Sequence, residues 1–111
     1  MMRQRSAASD RDLDQLTSLF RVLSDKTRLH LLSLLKEGER NVGSLCEELS
    51  LPQPTVSHHL GLLRMSNIVA CRRVGKQVFY ELNGTVDSNG DGSIVINAPS
   101  HEVRIAEKQM A

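Results

Sequence analysis

Short polar side chains are grouped between residues 53 and 58, and each of them can donate or accept a hydrogen bond. They are Gln53, Thr55, Ser57 and His58. Compact side chains of this kind on an exposed helical face suit the base edges and phosphates of a major groove. Pro54 stands among them and fits the first position of a helix, where an N–H would have no helical partner. The pattern predicts a DNA-reading helix over residues 54–64.

Positive charge is concentrated in the same part of the chain. The net charge of the whole chain is only +1, but no Asp or Glu occurs from Leu49 to Tyr80. A basic stripe confined to one segment is typical of phosphate binding, although a solvated basic face would have the same composition. The expected contacts to the DNA backbone are Arg64, Arg72, Arg73 and Lys76, with Gln77 beside them.

A second short amphipathic helix precedes the reading helix. Apolar residues recur at spacings of three and four in two sets, one for each helix. The sets are Val42, Leu45, Cys46 and Leu49, then Val56, Leu60 and Leu63. Pro52 and Pro54 exclude one continuous helix, because a proline lacks an N–H and its ring clashes with the preceding turn. Two short helices joined by a tight turn are the layout of a helix-turn-helix, and Asn41 is the expected cap of the first.

Two further helices are expected upstream. The first runs from about Arg11 to Leu23, with Asp10 as its cap, and its apolar stripe either enters the core or faces a partner subunit. The second runs from Lys26 to Lys36 behind the cap residue Asp25, and leucines cover most of its circumference.

A β-hairpin is expected after the helix-turn-helix. Branched and aromatic residues over 68–73 and 77–82 flank a turn at Val74–Lys76. The tip of this hairpin is basic. It is therefore predicted to form a wing that lies beside the groove and contacts phosphates or the minor groove, with affinity that depends on salt.

The chain divides into three predicted parts. Its 111 residues suffice for one domain with a modest core. Residues 1–9 are expected to form a disordered arm, residues 10–82 a winged helix-turn-helix domain, and residues 83–111 a loop with a β-extension or short tail. Strands are expected at Ser93–Asn97 and His101–Ile105, with a short helix from Val103 to Met110 as the alternative. The fold class is mainly α with a small β-hairpin wing (α+β).

Three runs of sequence resemble the ArsR/SmtB family of bacterial winged-helix repressors. They are LSDKTRLHLLSLLKEGE, PTVSHHLGLLR and RRVGKQVFYEL, within about Leu16 to Leu82. The resemblance implies a homodimer on an inverted-repeat operator, released by an inducer. It also implies that the helix with Ser57 and His58 enters the major groove, next to Gln53 and Thr55. The family's last helix is not found here, so a β-extension would replace it and the helix at 11–23 would carry more of the dimer interface.

Metal sensing is not carried over from this resemblance. Classical metal sensors of the family place a cysteine at the start of the helix before the turn, where this chain has Asn41. No metal site and no cofactor is therefore expected. Cys46 and Cys71 are too few and too far apart for a disulfide framework or a zinc motif. A thiol-redox-responsive repressor that uses Cys46 or Cys71 stays an alternative.

The segment from Asp87 to Gly92 matches the first half of a calcium loop. Oxygen ligands alternate there, but the twelfth position is Ala98, so the bidentate carboxylate is missing. A plain asparagine- and glycine-rich hairpin loop is the favoured interpretation.

Other classes of protein are disfavoured. No nucleophile, base and orienting residue cluster in the sequence, and no glycine-rich phosphate loop follows a strand, so no enzyme is predicted. No apolar run approaches the length of a membrane span and no secretory signal is found, which predicts a cytoplasmic protein without membrane contact. A winged-helix module that binds another protein is the rival from a different class, since fold does not fix function.

Overall fold

The computed structural model describes residues 9–84 and 86–108, and the arm expected at residues 1–9 lies almost wholly outside them. Four helices and six strands occur in this part of the chain. The helices are α1 (Asp10–Leu23), α2 (Lys26–Leu35), α3 (Val42–Leu49) and α4 (Gln53–Met65). The strands are β1 (Arg40–Asn41), β2 (Val69–Val74), β3 (Gln77–Leu82), β4 (Val86–Ser88), β5 (Ile94–Asn97) and β6 (Glu102–Ile105).

Three of the helices are preceded by a residue whose side chain caps the first turn. Asp25 and Asn41 cap α2 and α3, as the sequence predicts, by accepting hydrogen bonds from the N–H groups of Arg28 and Ser44. The prediction for α1 was wrong by one residue. Ser9 is its cap, and Asp12 bonds back to the N–H of Ser9, so Asp10 is already the first helical residue.

The four helices share one leucine-rich core with strands β2 and β3. Leu31, Leu45, Leu60 and Leu63 are completely buried where α2, α3 and α4 meet. The leucines of α2 point in several directions because this helix packs on α3, α4 and β3 at once. Burying a leucine side chain contributes about 1.5–3 kcal/mol, so these contacts hold the helix-turn-helix in place.

The expected wing is confirmed as a hairpin of β2 and β3. The strands pair antiparallel from Val69 opposite Leu82 to Val74 opposite Gln77. The turn therefore has two residues and not the three that were expected, because Val74 belongs to β2. Gly75 opens this turn with φ at 61°, a left-handed conformation that favours glycine. The short strand β1 adds to the other side of β3, giving the order β1-β3-β2.

The end of the chain forms a second, separate antiparallel sheet in the order β4-β5-β6. The two expected strands are confirmed, and the alternative helix from Val103 is wrong because β6 occupies Glu102–Ile105. The strand β4 lies within the loop that was expected before Ser93, and it was not predicted. Val86, Ile94 and Ile96 turn one face of this sheet into the core, and Lys36 at the end of α2 donates to the carbonyl of Gly92 at 3.1 Å.

The suspected calcium segment is a hairpin loop, as favoured from the sequence. Asp87 lies in β4, whereas Asp91 Oδ1 accepts hydrogen bonds from the N–H and hydroxyl of Ser93 at 2.9 and 2.7 Å. Those bonds hold the pKa of the Asp91 carboxyl below its usual value. The carboxylate of Asp91 therefore stabilises the turn between β4 and β5 through hydrogen bonds within the loop.

Candidate nucleic-acid interface

The turn between α3 and α4 contains a residue with a left-handed backbone conformation, and two prolines follow it. Ser50 takes φ at 55° and ends α3, and the N–H of Leu51 donates to the carbonyl of Cys46 at 3.2 Å. Pro52 then occupies the cap position of α4. The helix begins at Gln53, one residue earlier than predicted, and Pro54 is its second residue. A proline there forfeits no helical hydrogen bond, because the first four N–H groups have no partner within the helix.

Burial separates the two faces of α4. Val56, Leu60 and Leu63 are fully buried, which turns the polar residues at the start of the helix outward. All ten predicted site residues are exposed: Gln53, Pro54, Thr55, Ser57, His58, Arg64, Arg72, Arg73, Lys76 and Gln77. Exposure is what a groove-reading surface requires, since a buried side chain could not reach a base.

The start of α4 and the tip of the wing face each other. Gln53 of α4 and the wing residues Lys76 and Gln77 line one cleft of about 400 Å³, together with Asn41–Gly43 and Cys46 at the start of α3. Arg64 is not part of this group. It lies at the other end of α4, about 16 Å from Gln53 at the helical rise of 1.5 Å per residue.

Arg72 is engaged within the protein. Its Nε and Nη2 donate to the two carboxylate oxygens of Glu39, each at 2.7 Å, and its guanidinium carbon lies 5.4 Å from the centre of the Phe79 ring. These hydrogen bonds lower the pKa of Glu39 and raise the pKa of Arg72. Both groups are therefore charged at neutral pH, and Arg72 brings less free positive charge to the wing than the sequence predicts.

Glu39 is the residue that sequence reasoning missed. It precedes β1, whose Arg40 and Asn41 pair with Tyr80 and Phe79 of β3, and this pairing carries the carboxylate to the wing. Glu39 and Arg72 are 33 residues apart in sequence, so no local pattern connects them. Only the pairing of β1 with the hairpin brings them together.

His59 links α4 to the start of α2 and is turned away from the polar face of α4. Its Nδ1 lies 3.0 Å from Nη1 of Arg28 and 3.8 Å from the carboxylate of Asp25. The side chain is only 14% exposed. These surroundings suit a packing role and not a contact to phosphate. Its neighbour His58 is exposed, because adjacent helical residues point about 100° apart.

The two cysteines lie in different surroundings. Cys46 lines the cleft below the wing, whereas Cys71 lies opposite Tyr80 in the β2–β3 ladder, and both are half-buried free thiols. Burial raises the pKa of the Tyr80 phenol, and Cys71 adds to the shift.

Among residues 9–84 and 86–108, no three acidic, histidine or cysteine side chains are grouped so that they could hold a metal ion. None of the helices in this part of the chain is long and apolar enough to cross a membrane.

The chain is similar in sequence to known regulatory proteins. Residues 25–70 match the family model described as bacterial regulatory protein, arsR family. The transcriptional repressor SdpR of Bacillus subtilis is 35% identical over 71 residues, which cover 64% of this chain and 79% of that protein. The biofilm growth-associated repressor of Xylella fastidiosa is 45% identical over 69 residues, but these span only 60% of its length.

A solved structure extends the likeness to the fold. The NMR structure of the homodimeric winged helix-turn-helix DNA-binding domain Mb0332 from Mycobacterium bovis has a TM-score of 0.63 and 31% identity. It covers 72% of this chain and 77% of that one. The chain therefore belongs to the ArsR family of bacterial regulatory proteins, as a winged helix-turn-helix DNA-binding transcriptional regulator and not an enzyme.

Proposed function

We propose that the protein is a homodimeric repressor that inserts the start of α4 into the major groove and lays its wing along the DNA backbone, in the bacterial cytoplasm. The observation that carries this proposal is the cleft shared by Gln53 and the wing residues Lys76 and Gln77. It joins the reading helix and the basic tip in one surface. The relatives named above as repressors support the direction of regulation.

The exposed residues fall into two groups by the contacts they suit. Gln53, Thr55, Ser57 and His58 carry hydrogen-bonding groups on short side chains at the start of α4, and we assign them to base edges. Arg64, Arg73 and Lys76 are exposed cations, and we assign them to phosphates, with Gln77 and the ring of Pro54 beside the backbone. Arg72 makes a smaller phosphate contribution in this proposal, because Glu39 competes for it.

We further propose that the dimer forms through α1. Leu13 and Phe20 are 46% and 51% exposed, and they lie two helical turns apart on one face of that helix. Large apolar side chains exposed on one face suit a partner subunit. A two-fold dimer would present two α4 helices to half-sites about 34 Å apart, which corresponds to an inverted-repeat operator.

Selection from a pool of random double-stranded DNA, followed by sequencing of the bound fraction, tests this function. We expect an inverted repeat whose half-sites are centred one helical turn apart. Binding should weaken steeply as salt rises, since basic residues displace counterions from the phosphates. Enrichment of one unrepeated site would overturn the dimeric mode. Failure to bind any DNA at low salt would instead favour a winged-helix module that binds another protein.

A further inference from the structure

The outer edge of β6 presents backbone groups to which no described strand is paired. Within residues 9–84 and 86–108, β6 pairs with β5 alone. The N–H of Ala98 donates to the carbonyl of His101 at 2.8 Å, so these two residues form a hydrogen-bonded pair. Hydrogen-bonded and non-hydrogen-bonded pairs alternate along an antiparallel ladder. Val103 therefore bonds to β5, whereas the N–H and C=O groups of Glu102 and Arg104 point away from the sheet.

The side chains along this edge have a self-complementary order of charge. Glu102 and Arg104 are exposed on the same face of β6, and their charged atoms approach to 3.9 Å. Between them lies Val103, which is half-buried on the apolar face. Edge strands commonly carry like charges or lysines that repel a second strand. Here the opposite charges stand two residues apart, so a copy running antiparallel would place each one against its opposite.

We propose that β6 pairs antiparallel with β6 of a second copy of this chain, around a two-fold axis at Val103. In that register Glu102 of each strand lies opposite Arg104 of the other. The backbone groups of these two residues are the ones that point outward, so they can form a hydrogen-bonded pair across the axis. Val103 then faces its own mate in a non-hydrogen-bonded pair. The two C-terminal sheets become one continuous sheet.

Neighbouring registers fail for physical reasons. A shift by one residue would set the outward-pointing backbone groups of Glu102 and Arg104 against residues whose groups point inward. A shift by two residues would keep the backbone pattern but place glutamate opposite glutamate, or arginine opposite arginine, which destabilises a strand pair. The backbone pattern and the charge order thus select the same register.

This self-association goes beyond DNA reading and uses a surface other than the one proposed on α1. Its test therefore needs no DNA and leaves Leu13 and Phe20 unchanged. The full chain carrying Val103→Cys, with Cys46→Ala and Cys71→Ser, is oxidised with copper–phenanthroline in air and followed on non-reducing gels. Cα atoms in a non-hydrogen-bonded pair lie about 4.5 Å apart, within reach of a disulfide.

Ile105→Cys in the same background is the matched control. Its mate would be displaced along the strand by about 13 Å, at roughly 3.3 Å per residue. We expect the Val103→Cys chain to form disulfide-linked dimers roughly tenfold faster or more, because a disulfide needs Cα atoms within about 7 Å. Equal rates for the two variants, or no cross-link by a Val103→Cys chain with unchanged circular dichroism, would overturn the proposal.

Charge reversal tests the register itself. In the Val103→Cys background, Glu102→Arg or Arg104→Glu alone should slow cross-linking by roughly threefold or more, because like charges then lie opposite. The double reversal should restore the rate. A double variant as slow as the single variants, or single variants that cross-link at the original rate, would show that this charge order does not guide pairing.

Discussion

The Arg72 guanidinium is held by the Glu39 carboxylate through two hydrogen bonds of 2.7 Å, although Glu39 lies in the connection between α2 and β1, outside the acid-free stretch. The guanidinium carbon of Arg72 also lies 5.4 Å from the centre of the Phe79 ring. Glu39 thus forms an ion pair with a cation of the wing. In the proposed complex, a phosphate that approaches Arg72 would have to compete with this carboxylate, so we expect Glu39 to limit the affinity of the wing for DNA of any sequence.

Replacement of Glu39 by glutamine should strengthen binding to all DNA sequences. The neutral amide of the variant carries no charge to hold Arg72, which then becomes available for a phosphate. The slope of log affinity against log salt should steepen by about 0.9 per subunit for one added phosphate contact. Salt titrations of a fluorescent duplex of unrelated sequence measure both quantities. Glu37→Gln removes the same charge two residues away and serves as the control, which should change the slope much less.

The effect of Glu39→Gln should be the same at pH 6 and pH 8. Arg72 lowers the pKa of Glu39 below its ordinary value of 4.5. A lowered pKa means that the ion pair is present above the ordinary pKa and is lost only as the pH falls through the still lower value in the folded protein. Wild type and variant should therefore differ equally across neutral pH. A difference that shrinks between pH 8 and pH 6 would contradict the assignment of Glu39 as the charged partner.

His58→Ala and Arg73→Ala should have distinguishable effects on DNA binding. Loss of His58 from the start of α4 should reduce discrimination between the preferred site and its variants, by about 1–3 kcal/mol at the contacted position. Loss of Arg73 from the wing should weaken binding to every sequence alike and flatten the salt slope by about 1. Competition titrations with point-substituted operators separate the two outcomes. If Arg73→Ala left both affinity and slope unchanged, the phosphate role of the wing at this position would be wrong.

His59→Ala should lower the stability of the fold, although its neighbour His58 should be dispensable for stability. The imidazole of His59 pairs with Arg28 at 3.0 Å and lies between α2 and α4. Removing it leaves the half-buried Arg28 Nη1 without this partner, at a cost of about 1–3 kcal/mol in the free energy of unfolding. Urea unfolding followed by circular dichroism gives the value. His58→Ala is the matched control, and an equal loss of stability in both variants would argue against the link between α2 and α4.

Local patterns sufficed to predict most of the winged helix-turn-helix. The spacing of Val56, Leu60 and Leu63 identified the buried face of α4, and the cap residues Asp25 and Asn41 were placed correctly. Such signals work because helix caps and apolar periodicity act within a few residues. The exposed polar face at the start of α4 followed directly from the buried one.

Contacts between distant segments could not be predicted in the same way. The pairing of β1 with β3 involves only two residues of β1, so it leaves no periodic signal, and the ion pair between Glu39 and Arg72 depends on it. The strand β4 has only three residues, of which two are polar, so its sequence resembles a continuation of the loop. It is held by its pairing with β5 and by the bond from the Ser88 hydroxyl to the carbonyl of Lys36.

Phe20→Ala should weaken the dimer if α1 carries the subunit interface. Phe20 is 51% exposed in the monomer. A subunit interface over this ring would remove a large apolar surface from water. Truncation of an aromatic residue at the centre of an interface costs about 2 kcal/mol or more, which raises the dimer dissociation constant roughly 30-fold. Sedimentation equilibrium over a range of concentrations measures that constant. Leu29→Ala removes an apolar side chain of α2 that is 42% exposed, and it should leave the constant unchanged. Equal effects of the two variants would exclude α1 as the main interface, and cross-linking through Val103→Cys would still report on β6 independently.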